Sequence, residues 1–402
     1  MIGLLIIEIF FIVVLLAIAI QSIKKNKFML FLFSIFTAFY LILRPILLLT
    51  ENYYSFAILN PQINNYSEEA LLYEFFYVFS MYIVVYFSYK YFMNKKIKIR
   101  CTQNNKYDIP KKIMSLVSIA VIAINPIMGL PYLTYQFIFL YLKKQKITIL
   151  ILIFFFALIF FFTFSIDRRD WLFLLLTILF MLFALKKKKN ILKVLFSGVF
   201  SIIILGYILL AFRTEGLFNY NAVYDRILNT SQIILMIEIE TDFSIVTDDV
   251  IILFDELLVK DNIDYLYGIN FFKPFFSLIP RTIWEDKPLT ISALFSKKFN
   301  YDFYLHGGSE PITIYGELMW NFGLFSVLIF LGAAYIFSYL DKVTALALKC
   351  KDYNILAKTI VYTALTFHLL RGPIDSFWLV FLAFYLLLIF ENVLRNIYRK
   401  RS

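Results

Sequence analysis

Reactive side chains are concentrated in one polar stretch, residues 279–323, of an otherwise apolar sequence. Arg281 and Lys287 supply positive charge near its start, whereas His306 and Glu317 are groups that can accept a proton. Guanidinium and ammonium groups bind phosphate and carboxylate oxygens, and a positioned histidine or carboxylate is a common general base. The stretch therefore predicts a site that holds an anionic ligand and removes a proton from a second group.

Each of the two candidate bases also has a purely structural interpretation. Glu317 and Asn321 are four residues apart, so on a helix they share one face. Glu317 could instead form a salt bridge that orients Arg281 or Arg371. His306 lies in a His-Gly-Gly-Ser turn and could be an ordinary loop residue.

The elements that must position these residues are membrane-spanning helices. Of the 402 residues, 61% are hydrophobic, and the mean hydropathy is +0.77. Soluble domains contain about 45–50% apolar residues, so the fold class is predicted as an all-α polytopic membrane protein. Apolar runs of about 18 or more residues mark spanning helices, and about eleven are predicted. They are 2–20, 28–49, 71–93, 113–128, 131–142, 147–166, 171–185, 191–212, 312–340, 355–370 and 374–394.

This pattern divides the chain into three parts. Residues 1–212 form an N-terminal bundle of about eight spans, in which 113–142 could be a short hairpin. Residues 213–311 form one large hydrophilic segment, and residues 312–402 form the C-terminal spans and a basic tail. Apolar stretches inside the hydrophilic segment, such as 250–258, predict short helices that lie on the membrane surface.

Lysine and arginine are unevenly distributed between the two predicted membrane faces. Most lysines fall in alternate loops, and cytoplasmic loops retain such an excess. The N-terminus and the 213–311 segment are therefore predicted on the extracytoplasmic side, and the C-terminus in the cytoplasm. The net charge of +11 reports this topology and contact with anionic lipids, not nucleic acid. Cys101 and Cys350 fall in the cytoplasmic loops, where no structural disulfide is expected.

Several arginines depart from this pattern, because they fall on the extracytoplasmic side of the predicted topology. Arg213, Arg281 and Arg371 lie close to apolar segments, where a guanidinium would meet a phosphorylated ligand near the headgroup plane. Arg44 and Arg226 are interpreted instead as partners of acidic residues or of lipid headgroups.

Two further charge clusters leave alternatives open. Arg168 and Arg169 form an Asp-Arg-Arg-Asp turn with their neighbours, so they could bind phosphate or pair with the flanking acids. Acidic residues of the hydrophilic segment could hold a divalent cation, but a solvated or arginine-paired face is the preferred interpretation, because no spacing is diagnostic of a metal site. They form two sets, Glu238/Glu240/Asp242 and Asp248/Asp249/Asp255/Glu256.

A particular order of short motifs carries a family resemblance. An arginine just after a span is followed by a long loop and then by Pro-Arg, Trp, Lys-Pro, Gly-Gly-Ser, Tyr-Gly-Glu, Asn-Phe-Gly and a late Arg-Gly. Their positions are 280–281, 284, 287–288, 307–309, 315–317, 321–323 and 371–372. Between about residues 206 and 375 the chain resembles the Wzy-type oligosaccharide repeat-unit polymerases, which build O-antigen and capsular polysaccharide.

The resemblance implies a glycosyltransferase on the outer face of a bacterial plasma membrane. Such an enzyme moves a growing glycan from undecaprenyl diphosphate to the non-reducing end of a new lipid-linked repeat unit. It implies an architecture like that of the C-type glycosyltransferases, no cofactor, and no metal. Implied partners are the lipid-linked donor and acceptor, membrane lipids and possible contacts with a chain-length regulator and a flippase.

The chemistry of such a transfer, considered independently of the family, assigns roles to residues. The catalytic candidates are Glu317, His306 and Arg281, and the candidate sugar contacts are Trp284, Tyr315 and Asn321. A diphosphate leaving group needs cations around its developing charge. The candidates for this role are Arg213, Arg281, Lys287, Arg371, Arg168 and Arg169.

Two other functions remain open on the sequence alone. A ligase that transfers one glycan to a different acceptor would need the same chemistry. A flippase for lipid-linked oligosaccharides would more often show inverted repeats and paired broken helices around a midplane site. Here the polar residues are concentrated in one asymmetric segment, which favours the polymerase.

Overall fold

The computed structural model describes residues 2–50, 67–95, 126–143, 168–185, 242–276, 279 and 282–401. These residues form helices and loops without a strand. Five of the described helices are long and apolar enough to cross a membrane: Gly3–Lys24, Phe28–Ile46, Glu68–Asn94, Ile314–Cys350 and Phe377–Leu394. An all-α polytopic membrane protein fits this architecture.

The described helices are numbered here in chain order. They are α1 (Ile2–Lys24), α2 (Phe28–Phe36), α3 (Leu43–Thr50), α4 (Glu68–Asn94), α5 (Pro126–Leu142), α6 (Arg168–Leu185), α7 (Asp242–Phe254), α8 (Lys273–Phe276), α9 (Ile291–Phe299), α10 (Tyr301–Leu305), α11 (Ile314–Phe322), α12 (Ser326–Cys350), α13 (Tyr353–Arg371) and α14 (Ile374–Arg401). Two π-helical turns, Thr37–Ile42 and Asp255–Val259, continue α2 and α7, and two 3-10 turns are Ile269–Phe272 and Gly323–Phe325.

The count of about eleven spans is not confirmed. Five of the predicted spans coincide with the five apolar helices. Three further predicted spans correspond to α5, α6 and α13, namely 131–142, 171–185 and 355–370. These three helices are not among the five that are long and apolar enough to cross a membrane. The spans 147–166 and 191–212, and most of 113–128 with the possible hairpin, lie outside the described residues.

Helix α13 lies at the centre of the C-terminal half. It packs against α12, α6, α5 and α14, and its Ala357, Ile360 and Ala364 are fully buried. Helix α4 packs along α12 on the other side and also contacts α7. The short helix α11 lies among α7, α12 and α13, so the polar residues that it carries are held between long apolar helices.

The predicted span 312–340 has different bounds in the structure. It is divided by the 3-10 turn Gly323–Phe325, and its second part continues as α12 to Cys350. Asp341, which the sequence predicts in a cytoplasmic loop, is therefore buried within a helix. Its carboxylate accepts hydrogen bonds from the backbone nitrogen of Met29 at 2.9 Å and the hydroxyl of Tyr89 at 2.7 Å. A carboxylate at this place satisfies free N–H groups in the first turn of α2.

The expectation of free thiols is also wrong, because Cys350 is disulfide-bonded in the structure. The chain has one other cysteine, Cys101, which lies outside the described residues.

Lys342 donates to the carbonyl oxygens of Phe92 and Lys95, so the end of α4 lies beside α12. The lysine content of the loops predicts the side of the membrane on which they lie, but it does not predict this contact between α4 and α12.

Candidate active site

Helix α11 carries the Tyr-Gly-Glu motif and the start of the Asn-Phe-Gly motif. Pro311 precedes it, and Thr313 caps its N-terminus by accepting a hydrogen bond from the backbone nitrogen of Gly316 at 3.4 Å. The helix ends at Gly323, whose φ of 55° is a conformation that favours glycine. A Cβ atom on Gly323 would also lie 3.1 Å from the ring of Tyr265. The positive φ and the nearby ring of Tyr265 therefore both explain a glycine at position 323.

Glu317 joins α11 to the turn that contains Arg371. The side chain is 2% exposed, and its Oε2 accepts a hydrogen bond from the backbone nitrogen of Ile374 at 2.8 Å. Ile374 is the first residue of α14, and a carboxylate is favourable at a helix N-terminus. Because Arg371 and Gly372 immediately precede this helix start, two motifs that are far apart in the sequence meet here. This contact favours the orienting role of Glu317.

Asn321 is part of the same buried cluster. It is 1% exposed, and its Nδ2 donates to the carbonyl oxygen of Glu317 at 2.8 Å. The Oδ1 atom is buried without a hydrogen-bond partner among the described residues. Trp320 fixes the other side of α11, because its Nε1 donates to the carbonyl oxygen of Asp264 at 3.2 Å. The role of Asn321 as a sugar contact stays a prediction.

Tyr315 lies in the core and presents no ring face to a ligand in this conformation. It is fully buried, and its hydroxyl lies 3.3 Å from Oγ1 of Thr37. Its ring packs against Phe330 with centroids 5.1 Å apart and stacks on Phe33 at 6.3 Å. The sugar-contact assignment of Tyr315 stays a prediction that this packing does not favour, because the ring fills space between α11, α12 and α2.

Lys287 and Trp284 lie in the loop before α9. Lys287 is half-buried, and its Nζ donates to the carbonyl oxygen of Ile279 at 3.0 Å. Trp284 is also half-buried and packs edge-on against Phe276, with ring centroids 5.2 Å apart. Their predicted roles on a diphosphate and a sugar stay predictions.

His306 ends α10 and is exposed. Its Nδ1 lies 2.7 Å from the carbonyl oxygen of Asp302. Because a carbonyl oxygen only accepts hydrogen bonds, Nδ1 carries the proton, and the neutral ring then has its lone pair on Nε2. That atom is the one that can act as a base.

The side chains of four predicted phosphate-binding residues lie outside the described part of the structure. Arg213 and Arg281 lie outside the described residues. Arg168 and Arg169 form the start of α6, but only their backbone is described. Arg371 is described: it ends α13 and is 6% exposed. The structure thus brings Glu317 to the segment that follows Arg371, and the assembly of the full cationic group stays a prediction.

Arg44 pairs with an acidic residue, as predicted. Its Nε and Nη2 donate to the two carboxylate oxygens of Asp248 at 3.0 and 3.2 Å, and both residues are buried. Burial outweighs this guanidinium and raises the pKa of Asp248 to about 6. Thr247 donates to the carbonyl oxygen of Tyr40 in the first π-helical turn. Together these contacts attach α7 to the α2–α3 helix.

The structure contains a buried pair of carboxyl groups that the sequence did not predict. Asp249 and Glu310 are 1% and 7% exposed, and each has one oxygen without a hydrogen-bond partner among the described residues. Burial, together with the neighbouring carboxylates of Glu310 and Asp248, raises the pKa of Asp249. Burial also raises the pKa of Glu310, against hydrogen bonds from Asn300 and Ser296. No sequence spacing links residues 249 and 310, so only the fold reveals this pair.

Of the acidic residues 248, 249, 255 and 256, three pair with basic side chains: Asp248 with Arg44, and Asp255 and Glu256 with Lys260. Asp255 accepts hydrogen bonds from Ser67 at 2.6 Å and a salt bridge from Lys260 at 2.7 Å. Burial raises the pKa of Asp255, but the bonds from Lys260 and Ser67 outweigh it and leave the pKa lowered. Within the described ranges, no three Asp, Glu, His or Cys side chains are placed to hold a metal ion.

Similarity to known proteins is confined to a short stretch. Over 72 residues the chain is 39% identical to the O-antigen polymerase of Salmonella typhimurium (strain LT2), and the values for the O-antigen polymerase of Salmonella typhi are the same. This stretch covers 17% of the chain and spans only 18% of the length of each relative. No family model matches the chain. No solved structure matches it either.

Proposed function

We propose that the protein is a glycosyltransferase that polymerises lipid-linked oligosaccharide repeat units at a bacterial plasma membrane. The observation that carries the proposal is the bond between Glu317 and the backbone nitrogen of Ile374, which brings the Tyr-Gly-Glu and Arg-Gly motifs into one buried cluster. The partial similarity to O-antigen polymerases supports the same class.

In the proposed reaction, an acceptor sugar hydroxyl attacks the anomeric carbon of the donor glycan. The new glycosidic bond forms as the bond to undecaprenyl diphosphate breaks, and the diphosphate leaves with the bonding electron pair. Arg371, Arg281, Arg213 and Lys287 neutralise the charge that develops on it, with Arg168 and Arg169 as further contacts. The donor is already activated, so the reaction needs no nucleotide sugar and no ATP.

The two candidate bases have different environments, and these favour different roles. Glu317 is buried and hydrogen-bonded to the start of α14, so it orients the Arg371 turn. His306 is exposed and has its Nδ1 fixed on the carbonyl oxygen of Asp302, so Nε2 takes the proton of the acceptor hydroxyl. Trp284 and Asn321 are the proposed sugar contacts. Reaction on the outer face and an extracytoplasmic N-terminus belong to the same proposal.

Removal of one proposed phosphate-binding cation tests this function in the strain that carries the gene. Arg281→Ala should leave the protein inserted at its normal level but reduce the surface polysaccharide to single repeat units, because the leaving group loses its counter-charge. The length distribution on gels is the measurement. Lys298→Ala, which removes an exposed cation from the same segment, is the control and should keep long chains. An unchanged long-chain ladder in Arg281→Ala would refute the proposal.

A further inference from the structure

Two glutamates inside membrane-spanning helices have no role in the proposed reaction. Glu8 of α1 and Glu74 of α4 are each 0% exposed. None of their four carboxyl oxygens has a hydrogen-bond partner among the described residues. The burial of Glu8 is specific, because its neighbours Ile7 and Ile9 are 52% and 47% exposed. An ionisable group at such a position in a membrane helix is a functional candidate by default.

The two glutamates lie at corresponding positions of two helices that are in contact. Each is six positions into its helix, which is about 9 Å along the axis. Phe11, one turn after Glu8, contacts the rings of Phe75 and Phe79 at 6.0 and 5.0 Å, and so brings α1 and α4 together. Glu8 is also the charged group that acts on Glu74.

No basic side chain among the described residues neutralises the pair. Arg44, on α3 beside α1, is bonded to Asp248. Lys342, on α12 beside α4, is bonded to carbonyl oxygens at the far end of α4. None of the charged groups on elements packed against α1 and α4 acts on Glu74 apart from Glu8. These groups are Arg44, Asp248, Asp249, Asp255, Glu256, Asp341, Lys342 and Lys349.

Carboxylates without donors or counter-ions are strongly disfavoured in an apolar interior, and two neighbouring carboxyls cannot both ionise easily. Binding of a proton removes a charge from this apolar interior. We propose that Glu8 and Glu74 form an intramembrane proton-binding site, in which at least one of the two carboxyl groups is protonated at neutral pH. The proposal concerns a second site and does not depend on the glycosyltransferase reaction.

The site lies next to α11 and can therefore influence it. Tyr77, one turn after Glu74, has its hydroxyl 2.7 Å from Oγ of Ser326 and donates to the carbonyl oxygen of Tyr315 at 3.3 Å. The hydroxyl of Tyr315 is within electrostatic reach of Glu74. Loss of the bound proton would leave two anions on α1 and α4, and their repulsion would act on the start of α11 through Tyr77.

An apolar carbodiimide, which modifies protonated carboxyl groups in membranes, tests the proposal on the purified full-length protein. Mass spectrometry should find the adduct on Glu8 or Glu74, with the modified fraction falling about tenfold per pH unit above the midpoint. Glu69, exposed at the start of α4, is the internal control and should not be modified at neutral pH. The double variant Glu8→Gln/Glu74→Gln should give no adduct in α1 or α4. Protection by Na+ at constant pH would overturn the proposal, because a metal ion would then occupy the site.

Difference infrared spectroscopy removes the dependence on reagent access. A protonated-carboxyl band that is present in the wild type and absent from the same double variant at neutral pH is the expected result. Gln keeps the shape of the protonated side chain, so the variant should fold, as checked by its elution in detergent. A spectrum without this band in the wild type would mean that both groups are ionised, and it would overturn the proposal.

Discussion

At the scale of residues, the environments of Glu317 and His306 separate their proposed roles. The separation comes from partners that are distant or that lie on the backbone. Glu317 binds a nitrogen 57 positions away, and the His306 ring binds a carbonyl oxygen that no side-chain pattern reveals. The pair Asp249 and Glu310 was missed for the same reason, since its members are adjacent only through the packing of α7 near α11.

Substitution of Glu317 distinguishes an orienting residue from a base. Glu317→Gln keeps an oxygen that accepts the hydrogen bond from Ile374, so most polymer length should be retained. Glu317→Ala leaves that buried N–H unsatisfied and should destabilise the protein by about 1–3 kcal/mol. Thermal unfolding in detergent and polysaccharide gels are the measurements. A folded Glu317→Gln protein that makes no polymer would show that the carboxylate itself takes the proton.

At the scale of elements, the sequence predicted most of the described long helices but few of their breaks. Apolar composition places helices at α1, α4 and α14. It does not report the π-helical turn at Thr37–Ile42, where the carbonyl oxygen of Tyr40 accepts a hydrogen bond from Thr247, or the interruption at Gly323, which the ring of Tyr265 approaches closely. Both contacts join residues that are far apart in the sequence. Composition also predicted that this span ends at residue 340, whereas α12 continues to Cys350. The helix continues because Asp341 is stabilised by α2 rather than by solvent.

Two glycines in the same region should respond oppositely to alanine. Gly323→Ala combines a positive φ with a close approach to Tyr265, so it should destabilise the protein by about 1–3 kcal/mol. Gly332→Ala lies within α12 with open space around the new Cβ, so stability should be unchanged or higher by up to about 1 kcal/mol. Thermal unfolding of both variants is the measurement, and equal effects would contradict the structure around Gly323.

The stability of the folded protein should fall as pH rises through the range in which its buried acids titrate. Asp248, Asp249 and Glu310 have raised pKa values, so the folded protein binds more protons than the unfolded chain. Their contribution is fully present below their ordinary pKa values and is lost as pH rises through the folded values, which for Asp248 means from about 4 to about 6. Asp255 has a lowered pKa, so it loses its contribution only as pH falls below this window.

The measurement is thermal unfolding between pH 4.5 and 8. The wild type should lose stability across this range, by about 3 kcal/mol for a shift of two pKa units in one group. Asp249→Asn mimics the protonated carboxyl and should flatten the curve. A wild-type stability that rises with pH would contradict the assigned direction.

At the scale of the whole molecule, composition established the class, and the arrangement of charges gave a topology that remains a prediction. Positive charge in alternate loops places Cys350 in the cytoplasm, whereas the disulfide at Cys350 is a feature of oxidising compartments. These two observations point to opposite faces for the end of α12. The fold alone does not define the reaction, because the reaction depends on the relative positions of Arg213, Arg281 and Arg371, and only Arg371 lies within the described residues.

Reconstitution tests the central claim most directly. The purified protein would be placed in liposomes with lipid-linked repeat units isolated from cells that lack it, and the products sized by mass spectrometry. The account predicts glycans that grow by whole repeat units with release of undecaprenyl diphosphate, and a rate about 10²–10⁴-fold lower for His306→Ala. Asp302→Ala keeps the carbonyl acceptor and should retain the rate. Repeat units that cross the bilayer at unchanged length would identify a flippase and contradict the account.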